Sequence, residues 1–198
     1  MCCTYATDNV AAMTIVNDDV LDAVARILER EGLRGLSISA IAEEAAVSRV
    51  TLHRRGVSVD DLIVAVLARA SDDLRASLWP VMTASGDAAT RLRTALAALC
   101  AVAERHGAVL TAFYAEPTRQ IPDRPGRTTS FEFIELFERL LRDGDLDGSL
   151  RVEDPAAQAA LVANSVCWTY LHMRRAHGWT SRATADLVID MATASLGR

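Results

Sequence analysis

The stretch that decides the fold is LSISAIAEEAAVSRVTLHRRG, residues 36–56. Two short segments lie in it, Ser37 to Ala45 and a second one running to about Arg55, joined through Ala46, Val47 and Ser48. Ser37 and Ser48 both suit a helix N-cap, where a hydroxyl oxygen accepts from an amide two or three residues on. Helices this short are marginal in isolation, because nucleation costs more than about a dozen residues return. They hold only by leaning on neighbours. Ala42, Ala45, Val47 and Leu52 are small or branched apolar residues, placed where two helices must cross closely. This is the pattern of a helix-turn-helix, whose second helix offers residues near its N-terminus to the major groove. Those residues are Arg49, Val50, Thr51, His53 and Arg54, with Arg55 following. An arginine can grip guanine O6 and N7 bidentately, and Thr51 can donate to a phosphate or touch a thymine methyl. Ser37 and Ser39 open the preceding helix, whose first amides favour a phosphate.

The flanks supply the support. Asp18 to Glu31 reads as an amphipathic helix with Val20, Val24, Ile27 and Leu28 on one face, capped by Asn17 or Asp18 and ended by Gly32. A long helix follows from about Ser58 to Trp79, where Pro80 is expected to stop it. Ser85, Gly86 and Asp87 form a linker and cap. Helices are expected over Ala88 to His106, Ala108 to Ala115 and Ser130 to Arg142, with a long loop at residues 116–129. Asp154 and Pro155 open a helix to about His177, and Thr180 or Ser181 caps a last one ending near Ser195. The reading is all-α, about nine helices, with residues 1–16 as a flexible arm, 17–74 as the helix-turn-helix domain and 75–198 as a second helical domain.

Composition agrees. Hydrophobic residues make 51% and charged residues 24% of the 198, which suits a filled core and excludes disorder as the main state. The net charge is -5, yet from Arg30 to Gly56 five arginines face three glutamates. The binding face is set by such local charge rather than by the total. All 21 basic residues are Arg, which leaves every phosphate or base contact to a planar, bidentate-capable group. Of the four cysteines, Cys100 and Cys167 sit in apolar helical runs and read as core, as in a reducing cytoplasm. No signal peptide or membrane span is evident.

The run LDAVARILEREGLRGLSISAIAEEAAVSRVTLHRRGVSVDDLIVAVL resembles the N-terminal domain of TetR-type regulators. Ser37, Ile38, Ile41, Ala42, Ala45, Val47, Ser48, Thr51, Leu52 and Leu62 match that family's pattern in order, spacing and type. The match covers about Asn17 to Leu74, and beyond it only helix number and length agree. The resemblance implies a dimeric transcriptional regulator that binds a double-stranded DNA operator, responds to a small-molecule effector, is not an enzyme and needs no cofactor or metal. It implies a dimer interface on the last two helices, with Asn164, Leu171, His172, Arg175, Leu187, Val188 and Met191 as candidates. An effector pocket is expected among the middle helices, lined by Leu99, Cys100, Phe113, Tyr114, Phe137 and Trp168; apolar walls suit a hydrophobic or aromatic ligand. His53 stands where the family has a phosphate-contacting Tyr. Three departures stand out: Ala46 replaces the usual turn Gly, Gly56 an aromatic, and Val59 a Lys. They motivate an alternative, a helical dimer of this type that no longer reads DNA.

Two other patterns compete for attention. Asp143, Asp145, Asp147, Gly148 and Asp154 approach a calcium-loop spacing, but the plainer reading is an acidic turn between helices. The four histidines are scattered, and no nucleophile, base and orienting group come together.

Overall fold

The computed structural model describes residues 17–54, 56–115 and 132–197. The expected N-terminal arm and the expected loop at residues 116–129 lie outside the described residues. Among those described there are eight α-helices and no strand. They are α1 (Asp18–Glu31), α2 (Ile38–Glu44), α3 (Arg49–Arg54), α4 (Val59–Met82), α5 (Ala88–Ala115), α6 (Glu132–Asp147), α7 (Pro155–Ala176) and α8 (Ser181–Ala194), with a 3-10 turn at Gly32–Gly35.

The described residues divide into two compact units. One holds the residues up to Arg69 together with those from Ala108 to the end of α5; the other holds Ala70–Gly107 and the residues from 132 onward. The first unit's core joins Val20, Val24, Ile27 and Leu28 of α1 to Ile41, Ala42 and Leu52 of the two short helices, and to Leu62, Ile63 and Val66 of α4. Val109 of α5 is buried in the same cluster at 2% exposure.

Three punctuation marks in the sequence are overridden. Pro80 does not stop α4, which runs on to Met82. Proline removes one amide donor and crowds the carbonyl four residues back. Here Leu78 and Val81 are buried on either side of it and hold the last turn onto the core, and the helix ends within three residues. Gly107 does not divide the two segments expected there, which form one 28-residue helix. A Cβ at Gly107 would lie 2.8 Å from Leu171 Cδ2 and 3.0 Å from Arg175 Nε, so this glycine is a site of close helix packing within the second unit. The segment from Asp143 to Asp147, expected as a turn, is the end of α6. At Gly144 a Cβ would meet the Leu150 side chain at 2.5 Å, so the chain folds back over a helical glycine.

The acidic residues there act as caps and ion pairs. Asp147 Oδ2 accepts from the Ala88 amide at 2.8 Å and Ser149 Oγ from the Ala89 amide at 3.1 Å, while Asp87 accepts from Thr90 N. Asp143 pairs with Arg91 at 3.1 Å. No group of three metal-ligating side chains occurs among the described residues. The long apolar helix α5 has the length and composition of a membrane span over Ala88–Ala112. Its Leu92, Leu96, Leu99 and Ala103 are buried core residues, and Glu104 binds Tyr170 Oη at 2.7 Å and the Arg174 guanidinium across the unit.

Candidate nucleic-acid interface

The helix-turn-helix forms as its residues dictate. Ser37 Oγ accepts from Ala40 N at 3.1 Å and caps α2. At the end of α2 the Ala46 amide reaches Glu43 O at 3.1 Å and the Val47 amide reaches Ala42 O at 2.9 Å. This paired closure requires a left-handed residue at its first position, and Ala46 takes it, at φ 53°. It is the one non-glycine residue with positive φ among those described. The turn therefore survives the loss of the usual glycine at a local strain of about 1–2 kcal/mol. The same closure ends α3, with Gly56 N on His53 O and Val57 N on Leu52 O. Gly56, at φ 63°, serves that turn, which gives its presence in place of an aromatic a backbone reason.

The Ser48 carbonyl takes the first amide bond of α3, from Thr51 N at 2.9 Å. No Ser48 side-chain cap is seen among the described residues. Leu52 is the single buried residue of α3, at 3% exposure. At about 100° per residue, Val50 and Arg54 lie close to opposite Leu52, with Thr51 and His53 to the sides. Arg49, Val50, Thr51, His53 and Arg54 are all exposed, as are Ser37 and Ser39. Arg55 lies outside the described residues.

Charge is partitioned in the same way. Glu44 at the end of α2 is bound by Arg26 at 2.7 Å and Arg30 at 3.1 Å. These hydrogen bonds hold its carboxyl below the usual carboxylate range. Arg69 is taken by Asp22 at 2.7 Å. Among the described residues nothing pairs with Arg49 or Arg54. The arginines that brace the fold are neutralised, while Arg49 and Arg54 of α3 are left to solvent. Behind them α4 starts with a reciprocal cap missed in the sequence reading. Ser58 Oγ accepts from Asp61 N, and Asp61 accepts from Ser58 N, both at 3.1 Å. The signal was there as Ser-x-x-Asp, the shorter relative of the usual Ser-x-x-Glu box.

The other candidates sort differently. Of the expected interface residues on α7 and α8, Asn164, His172, Arg175, Leu187 and Met191 are exposed. Leu171 and Val188, at 4% exposure each, are packed inside the protomer. Periodicity located the two helices, and two of the seven expected residues fall on their inward stripes. Leu161, three residues before Asn164, is exposed as well. Of the expected pocket residues, Leu99, Cys100 and Phe137 are core and Trp168 is half-buried. The side chains of Phe113 and Tyr114 lie outside the described residues. Burial, with Cys167 nearby, pushes the Cys100 thiol up to about 12, and burial pushes Cys167 to about 11. Both are free and remain thiols at neutral pH.

Together these features define an all-helical fold with an N-terminal helix-turn-helix. Residues 20–66 match the model described as "Bacterial regulatory proteins, tetR family", and the chain carries that family's N-terminal domain. Solved structures extend the likeness over the whole fold. The ketosteroid transcriptional regulator KstR2 of Mycobacterium tuberculosis is 17% identical, with a TM-score of 0.74 over 92% of this chain and 97% of that one. The TetR family transcriptional regulator PfmR from Thermus thermophilus is 18% identical, with a TM-score of 0.73 over 91% and 100%. AibR, in complex with isovaleryl coenzyme A and operator DNA, is 19% identical, with a TM-score of 0.66 over 87% and 95%. No curated protein sequence matches the chain.

Proposed function

We propose that this chain is a transcriptional repressor that binds a pseudo-palindromic operator as a homodimer and is released by a hydrophobic or aromatic effector in its C-terminal helices. The observation that carries this reading is α3 itself, where Arg49 and Arg54 are exposed and unpaired among the described residues, Arg54 on the face opposite Leu52. Every contact to DNA assigned to Ser37, Ser39, Arg49, Val50, Thr51, His53, Arg54 and Arg55 belongs to this proposal. Exposed Leu161, Leu187 and Met191 on α7 and α8 support a partner on that side, and dimerisation places two reading helices about one DNA turn apart. Release requires an effector with different affinity for the bound and free conformations. The apolar character of the expected lining residues, and a neighbour named for ketosteroid regulation, favour a hydrophobic ligand. The protein then works in the cytoplasm and carries out no catalysis.

The test is a salt titration of the full chain on the DNA upstream of its own gene. Specific binding should weaken log-linearly with salt, with a slope set by the phosphates neutralised. Arg54→Ala should weaken it, and if Arg54 meets a phosphate the slope should fall by about one. Binding no tighter than to a random duplex would overturn the proposal in favour of a helical dimer that has lost operator reading.

A further inference from the structure

The one large apolar side chain that the described part of the N-terminal unit leaves exposed is Val50, at 61%. It stands two residues before Leu52, the buried anchor of α3, and so points almost directly away from the core. The residue sharing its line is Arg54, one turn on, a free guanidinium among the described residues. The centre of the reading face is thus a branched hydrocarbon beside a cation, with Thr51 and His53 flanking it.

A β-branched residue on an exposed helix face carries a helix-propensity cost and gains nothing from burial within the fold. In the major groove the one apolar feature that a base edge presents is the C5-methyl group of thymine. We infer that Val50 is a specificity-determining residue that packs on a thymine methyl in each operator half-site, with Arg54 beside it. This rests on the operator-binding reading above and deepens it. It assigns the central contact of α3 to shape and hydrophobicity, and it leaves the arginines to phosphate or guanine. A cytosine or a deoxyuridine at that base pair removes the methyl from the Val50 contact. Only the deoxyuridine keeps the hydrogen-bonding pattern unchanged.

The test uses the full chain and the footprinted duplex upstream of its gene, with each thymine of a half-site replaced in turn by deoxyuridine. One position should lower the affinity roughly fourfold, the worth of one buried methyl group. Val50→Ala should bind the thymine duplex more weakly by a similar factor and be indifferent to the replacement. Val50 stands outside the buried cluster that anchors α3, so the variant should melt at or slightly above the parent temperature, which is checked alongside. Specific binding that is unmoved by deoxyuridine at every position overturns the inference and leaves the regulator intact. A loss that is equal in wild type and Val50→Ala also overturns it, since another side chain then reads the methyl. Absence of specific binding overturns the regulator reading, and this inference with it.

Discussion

Ala46 holds a left-handed backbone at φ 53° so that its amide and that of Val47 can close α2. Every other described residue with positive φ is glycine. Ala46→Gly relieves the left-handed strain but adds freedom to the unfolded chain. The net expectation is a gain of about 0.5–1 kcal/mol, read as a higher urea midpoint with unchanged m-value. A drop in stability would show that the turn is braced against a Cβ, contrary to the exposed position of Ala46. At this scale most of the local geometry of the helix-turn-helix was legible in the sequence. Caps at Ser37 and the crossing residues Ala42 and Leu52 are set by neighbours within a few positions. What was not legible is which outward residue is central. That follows from the direction of Leu52, and the string alone gives Arg49, Val50, Thr51, His53 and Arg54 equal standing.

Helix ends were harder to read than helix cores, because caps reach across long separations. The first amides of α5 are satisfied by Asp147 and Ser149, about sixty residues away. The same residues suggested a calcium loop when taken only in sequence. Glycine and proline misled because packing decides what they do. Leu78 and Val81 outweigh Pro80, and the closeness of Leu171 and Leu150 explains Gly107 and Gly144. The cap has a measurable consequence. Asp147→Ala strips the Ala88 amide of its acceptor and should cost about 1 kcal/mol. Acid should do the same more broadly. Hydrogen bonds from Ser149 and the Ala88 amide hold the Asp147 carboxyl low, and Thr90 does so for Asp87. Burial of Asp73 opposes its ionisation, but His106 and Arg105 outweigh it and leave that carboxyl low as well. A carboxyl with a folded pKa below its unfolded value stabilises at pH above the latter, about 4, and that share is lost as pH falls through the folded value. Stability should therefore be level from neutral pH to about 5 and decline below about 4. Urea midpoints across that range check this, with Asp147→Ala showing a shallower decline.

For the molecule as a whole, the fold class was readable because apolar periodicity over long helices survives local misreadings. The make-up of the two units was not, since it depends on α5 returning to the first core with Val109. Val109→Ala removes two buried methyl groups and should cost about 2 kcal/mol. Amide exchange should report the loss across α1 and α2 while α7 and α8 keep their protection. Uniform loss over both sets would mean that the two units open as one.

That discontinuous first unit bears on how chains of this fold can be recombined. A cut after Arg69 does not excise a whole reading head, because a piece of its core is encoded nearly forty codons later. A hybrid gene joined at a single crossover would inherit a head with the wrong plug. On the operator-binding proposal, exchange of DNA specificity between relatives therefore calls for substitutions on α3 itself, or for a graft that carries Ala108–Ala112 along.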